Sequence, residues 1–201
     1  MIIALMLVVF AVCMAFVFNE GMWGAAITFV NVLLAAVLAT NLFEPLANWL
    51  ESMMPGLKYL WDFVAVWLSF ALCLVILRLV TDLISRHRVK FKKPVDIGGG
   101  IFFAAWTGWL MMQFTLFTLH LAPLSRNFMG FQEKPETRMF FDLAPDRIWL
   151  SFIHAQSAGG ALARTPPATD PNAHVFDPQG EFILKYAARR KQFETQPIQV
   201  E

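Results

Sequence analysis

Charge is scarce in this chain: 15% of its 201 residues are Asp, Glu, Lys or Arg, against about 25% in an ordinary soluble protein. With 57% of residues hydrophobic, that scarcity excludes a simple soluble globule. Cysteine is nearly absent, and Cys13 and Cys73 both lie inside apolar runs. No disulfide framework is therefore expected, and cysteine does not reveal the redox compartment. A net charge of only +1 argues against a nucleic-acid partner held by bulk electrostatics. The chain also lacks His-Glu-x-x-His, Gly-x-Ser-x-Gly, Cys-x-x-Cys and a phosphate loop with its Lys-Ser/Thr end. Its four histidines, His87, His120, His154 and His174, are scattered with no carboxylate at ligand spacing. No catalytic set, metal or cofactor is expected, and the chain reads as a non-enzyme.

Long apolar runs are what the sequence does have. Residues 1–18, 21–43, 60–80 and 100–121 each approach the roughly 20 apolar residues that carry a helix across about 30 Å of hydrocarbon. The first run has no basic region before it and no convincing cleavage site after it, so it is expected to remain as a span. Of the 31 charged residues, 18 fall after Pro123. The expected fold is an all-α membrane protein: a bundle of four transmembrane helices over 1–123, then an extramembrane, partly helical C-terminal tail over 124–201.

The connections are informative. Asn19-Glu20-Gly21 is so short that the first two spans must form a tight hairpin. After Glu44-Pro45, residues Leu46, Trp49, Leu50, Met53 and Met54 recur at helical spacing, with Asn48, Glu51 and Ser52 opposite. That pattern predicts a stop at Pro45 and a separate short interfacial helix with Trp49 at headgroup level. The next connection carries Arg86, Arg88, Lys90, Lys92 and Lys93. By the positive-inside rule it is cytoplasmic, which places the N-terminus and the tail outside. These five bases are expected to hold anionic lipid headgroups, at about 1 kcal/mol each.

Charged and polar residues within the spans are weighed by position. Asp62, with Lys58 four residues before it, and Arg78, with Asp82 four residues after it, are expected to snorkel as interfacial anchors. His120 is expected to be an interfacial histidine. Asn31 and Gln113 lie deeper, at matching depths, and are candidates for an intramembrane polar pair worth about 0.6 kcal/mol. Small residues form two stripes: Gly21, Ala25, Thr28, Ala35 and Ala39 flanked by Gly24 on span two, and Gly100, Ala104 and Gly108 on span four. Close backbone approach drives helix association in lipid, so these stripes predict a tight pair of spans two and four or a homo-oligomer seam.

Glu20-Gly21-Met22-Trp23-Gly24, a third span ending in a basic loop, and Val95-Asp96-Ile97-Gly98-Gly99-Gly100 leading into the four-residue repeat together resemble the colicin V production protein family of bacterial inner-membrane proteins. The likeness covers about Val8 to Leu121. Asp96, Gly100 and Gly108 match the family motif in spacing, Ala104 replaces a usual Gly, and Thr107 and Met22-Trp23 stand where members commonly carry Arg. The resemblance implies a small inner-membrane protein of toxin export and envelope homeostasis without an assigned reaction. A transporter or channel subunit, its path lined by Asn31, Gln113 and Thr115, is the alternative.

In the tail, Pro145-Asp146-Arg147 opens an aromatic run that suits a short helix or strand docked on the membrane face. Residues 165–171, with three prolines, read as a linker. After an Asp177–Gly180 turn, Phe182, Ile183, Tyr186, Ala187, Arg190 and Phe193 keep a helical spacing, with Lys185, Arg189 and Lys191 towards the C-terminal half, and predict a basic amphipathic helix. It would bind a lipid headgroup, an envelope or export partner, or its own bundle.

Overall fold

A computed structural model describes residues 1–85, 89, 91–123, 129, 131, 140, 142–159 and 175–195. Among them are six α-helices and no strand: α1 (Ile2–Phe18), α2 (Gly21–Met53), α3 (Lys58–Ile84), α4 (Lys93–Leu121), α5 (Pro145–Gly159) and α6 (Phe182–Thr195). Of these, α2, α3 from Leu60 and α4 are long and apolar enough to cross a membrane. The 17-residue α1 is shorter, about 26 Å at 1.5 Å per residue. The four pack as a bundle in which α2 lies against α3 and α4, and α1 lies along α4.

Gly21 makes the first hairpin tight, because its φ of +74° lies in the left-handed region that other residues enter at a cost. The second connection departs from expectation. α2 does not stop at Pro45 but runs through it for 33 residues, about 50 Å, so no separate interfacial helix forms. The buried face explains why: Ala36, Ala39, Thr40, Phe43 and Ala47 keep helical spacing across the proline without a break in phase. Pro45 removes the helical donor to the Asn41 carbonyl. Just before it, the Thr40 hydroxyl and the Asn41 amide donate to the carbonyls of Ala36 and Val37 at 2.8 Å each. Trp49, expected at headgroup level, lies on the exposed side of this extension.

The core does not end with the membrane helices. One buried cluster contains Phe43 of α2, Val66 of α3, Phe114 and Phe117 of α4, Trp149 and Ile153 of α5, and Phe182 and Tyr186 of α6. Burying each such side chain removes about 1.5–3 kcal/mol of unfavourable hydration. The tail run opened by Pro145 is therefore a helix packed on α4. The predicted linker, 165–171, lies outside the described residues.

Candidate functional site

The ion pairs among the described residues gather at the two ends of the bundle. At the end where α2 and α4 begin, Asp96 sits in the first turn of α4 and accepts a hydrogen bond at 3.0 Å from the backbone N–H of Met22, in the first turn of α2. A single carboxylate thus faces two helix N-termini, where unpaired N–H groups and the helix dipole favour negative charge. Glycine permits the approach. A Cβ on Gly21 would stand 3.3 Å from the Asp96 carboxylate, one on Gly99 would overlap the Met22 side chain, and one on Gly100 would lie 3.7 Å from the backbone of Gly21 and Met22.

Further along, Ala104 meets Ala25 and Val17. Gly108 then turns to α1: a Cβ there would come within 2.9 Å of the Phe10 carbonyl oxygen. The α4 stripe therefore serves two neighbours, α2 at its start and α1 farther on. Ala35 and Ala39 are fully buried in the larger core. Gly24 and Thr28 do not lie on the α4 seam. The Glu20 side chain lies over Gly24, where a Cβ would meet its Cβ at 2.7 Å, and accepts a 2.6 Å hydrogen bond from the Thr28 hydroxyl. Arg78 of α3 completes this cluster, donating to Thr28 at 2.7 Å and pairing with Glu20 at 3.3 Å. Its expected partner Asp82 is also present, at 3.4 Å.

Asn31 and Gln113 do not pair. The Asn31 amide donates instead to the Thr81 hydroxyl of α3 at 2.9 Å, because this face of α2 is turned to α3, while Gln113 is buried on α4. Thr81 in turn donates to the Arg78 carbonyl at 3.0 Å, so a polar ladder climbs from Glu20 to Asn31. Among the basic residues, Lys92 and Lys93 are exposed at the start of α4. Arg86, Arg88 and Lys90 lie outside the described residues.

The opposite end is built from side chains. His120, expected at the interface, is 2% exposed, and its Nε2 donates to Asp146 of α5 at 2.9 Å. The Trp149 indole N–H donates to the Thr40 hydroxyl at 3.2 Å, tying α5 to α2. His154 Nδ1 donates to the Phe176 carbonyl at 2.9 Å. The Asp177 carboxylate caps the start of α6, accepting from the N–H groups of Glu181 and Phe182 at 2.8 and 3.1 Å. Asp62 also departs from expectation. It is buried, and Arg189 of α6 reaches it at 2.9 Å, with Glu51 at 3.5 Å from the same guanidinium. Lys185 meets Glu44 at 3.1 Å. Burial pushes the Tyr186 phenol up from its usual range, and the negative charges of Asp62 and Glu44 add to the shift. An open cleft of about 470 Å³ between α2 and the 175–185 segment is lined by Thr40, Asn41, Glu44, Asp177, Glu181 and Lys185, among others. Among the described residues no group of His, Cys, Asp and Glu could hold a metal ion.

The family model for the colicin V production protein matches residues 2–140. The chain belongs to the colicin V production protein family. Nothing among curated proteins or solved structures matches it. Family membership and the apolar helices fit a membrane protein of toxin production. Within the family region lie Asp96, the small-residue stripes and the acidic residues Glu44, Glu51 and Asp62, whereas α5 and α6 lie beyond it. Asp62, Glu44 and His120 are polar-end residues whose partners sequence reading missed. The signal was faint: carboxylates at the start of α3 and late in α2, and bases four residues apart in α6.

Proposed function

We propose that this member of the family is a non-enzymatic inner-membrane scaffold of toxin export and envelope homeostasis. The observation that carries the reading is the docking of α5 and α6 on one end of the bundle, which builds an open polar platform around Glu44, Asp177, Glu181 and Lys185. In this reading α1 is a fourth span. The Asp96 end faces the cytoplasm, where Lys92 and Lys93, with Arg86, Arg88 and Lys90, hold anionic headgroups. The N-terminus and the tail face outward, and the platform recruits an envelope or export protein. Gly21, Ala25, Ala35, Ala39, Gly100, Ala104 and Gly108 serve as helix-packing positions within the chain or between copies.

The test combines a cell and a bilayer. Removing the protein from cells that secrete a peptide toxin should lower secretion and weaken the envelope barrier, while the purified protein in liposomes passes no ions. Unchanged secretion and barrier would overturn the scaffold reading.

One observation favours a transporter subunit instead: the Glu20–Thr28–Arg78 cluster and the Thr81–Asn31 bond carry polar groups about 15 Å up α2 from Gly21. Above Asn31 the buried residues of α2 are Val32, Ala35, Ala36, Val37 and Ala39, which offer no polar continuation before Thr40. Ion flux through the reconstituted protein that Asn31→Leu abolishes would establish this second reading.

A further inference from the structure

α6 is lightly held compared with α5. Of its side chains described, only Phe182 and Tyr186 are buried. Lys185 and Arg189 stay 61% and 30% exposed while they make their ion pairs. A helix of 14 residues is marginal in water by itself, so α6 depends on the surface that receives it. That seat has an apolar floor and an acidic rim. Phe182 stacks on Phe117 of α4 with ring centroids 5.2 Å apart, and Tyr186 packs on Phe43 of α2 at 6.4 Å. Glu44 and Glu51 of α2 and Asp62 of α3 take the bases. Floor and rim therefore read one pattern: aromatics at i and i+4, bases at i+3 and i+7.

We propose that this seat is an exchangeable binding site for basic amphipathic helices, with α6 as its resident occupant and a partner helix of the same pattern as its ligand. Every seat residue named lies within the family region, 2–140, and the occupant lies beyond it. Asp62 makes the exchange selective. Its carboxylate is 7% exposed, so a departing Arg189 must be replaced by another cation or leave a buried charge uncompensated. An apolar helix without bases would fill the floor and still be rejected. The inference rests on the reading of the tail as a recruiting surface and names the chemistry it recruits.

The probe is a fluorescent synthetic peptide of residues 181–195, added to the full chain in nanodiscs and followed by anisotropy. Arg189→Glu, which frees the seat, should bind it at least tenfold more tightly than the wild-type chain, whose seat is occupied. Adding Asp62→Asn to that variant should cost at least tenfold, and a peptide with Lys185 and Arg189 replaced by Gln should not bind. Equal binding by wild type and Arg189→Glu, or binding indifferent to Asp62→Asn and to the bases of the peptide, would overturn the proposal. A second measurement does not need Arg189→Glu to fold: a label on Ala188→Cys, in the chain without Cys13 and Cys73, should gain mobility when excess unlabelled peptide displaces α6. No gain at saturating peptide would contradict exchange. Failure of the recruiting reading would appear elsewhere, as a cytoplasmic tail in topology labelling with peptide exchange intact.

Discussion

The two ends of the bundle solve the same problem, satisfying polar groups where helices begin or stop, with different materials. At the Asp96 end α2 and α4 meet backbone against backbone: Gly21, Gly99 and Gly100 let them approach until one carboxylate caps across, while Arg78 of α3 ties to Glu20 and Thr28 beside them. At the tail end it is side chain against side chain, with Trp149, Phe182 and Tyr186 filling the core, and the buried pair His120–Asp146 and the half-buried pair Arg189–Asp62 joining helices. At the first end the α2–α4 contact is compact because side chains are missing. The second is held because large ones are present, and it can therefore be loosened one side chain at a time.

That contrast can be broken most strongly at Trp149, which is 1% exposed. Trp149→Ala should cost about 3–5 kcal/mol and release α5, read as a lower unfolding temperature in detergent with the Asp96 end still intact. Arg189→Ala should follow at about 2 kcal/mol: breaking a fully buried pair costs more, and the partial exposure of Arg189 reduces it. Hydrogen exchange should then rise across α6 and not across α2. At the other end, Asp96→Ala should cost about 1 kcal/mol, the usual loss for a helix cap, with faster exchange at Met22. If Asp96→Ala cost as much as Trp149→Ala, the distinction between the ends would be lost.

The smallest effect is on pH. Because the folded state holds the Tyr186 proton above the usual tyrosine value of 10.0, the stabilisation is fully present below pH 10 and declines as pH rises beyond it. Docking of α6 should therefore weaken above about pH 10. Tyr186→Phe should remove that dependence, and ultraviolet absorbance of the phenolate against pH checks it.

Only part of the Asp96 end was legible in the sequence: a glycine before a helix, an Asp four residues before Gly100 and small residues every fourth position are local signals, but none of them names the Met22 N–H as the partner of Asp96. The partner of Gly108 was not legible either, because a small residue announces close approach without naming the neighbour. Phe10 of α1 takes that place. Gly24 shows the same ambiguity, making room for its own neighbour Glu20. The tail end was largely illegible, because its pairs join positions far apart; Glu44 and Lys185 are 141 residues apart, and no period in either segment points to the other. Pro45 misled for a different reason. Its local preference for ending a helix was outweighed by a buried face that continues through Phe43 and Ala47, and that continuity was readable in the spacing.

The proposed scaffold requires its two ends to face opposite sides of the membrane, the Asp96 end inward and the platform outward. In a chain lacking Cys13 and Cys73, single cysteines at Val89, exposed beside the Asp96 end, and at Gln179, exposed on the platform, can be challenged on intact cells with a membrane-impermeant thiol reagent. This orientation requires Gln179→Cys to label at once and Val89→Cys to label only after the membrane is opened. Labelling of Val89→Cys alone on intact cells would invert the bundle and contradict it.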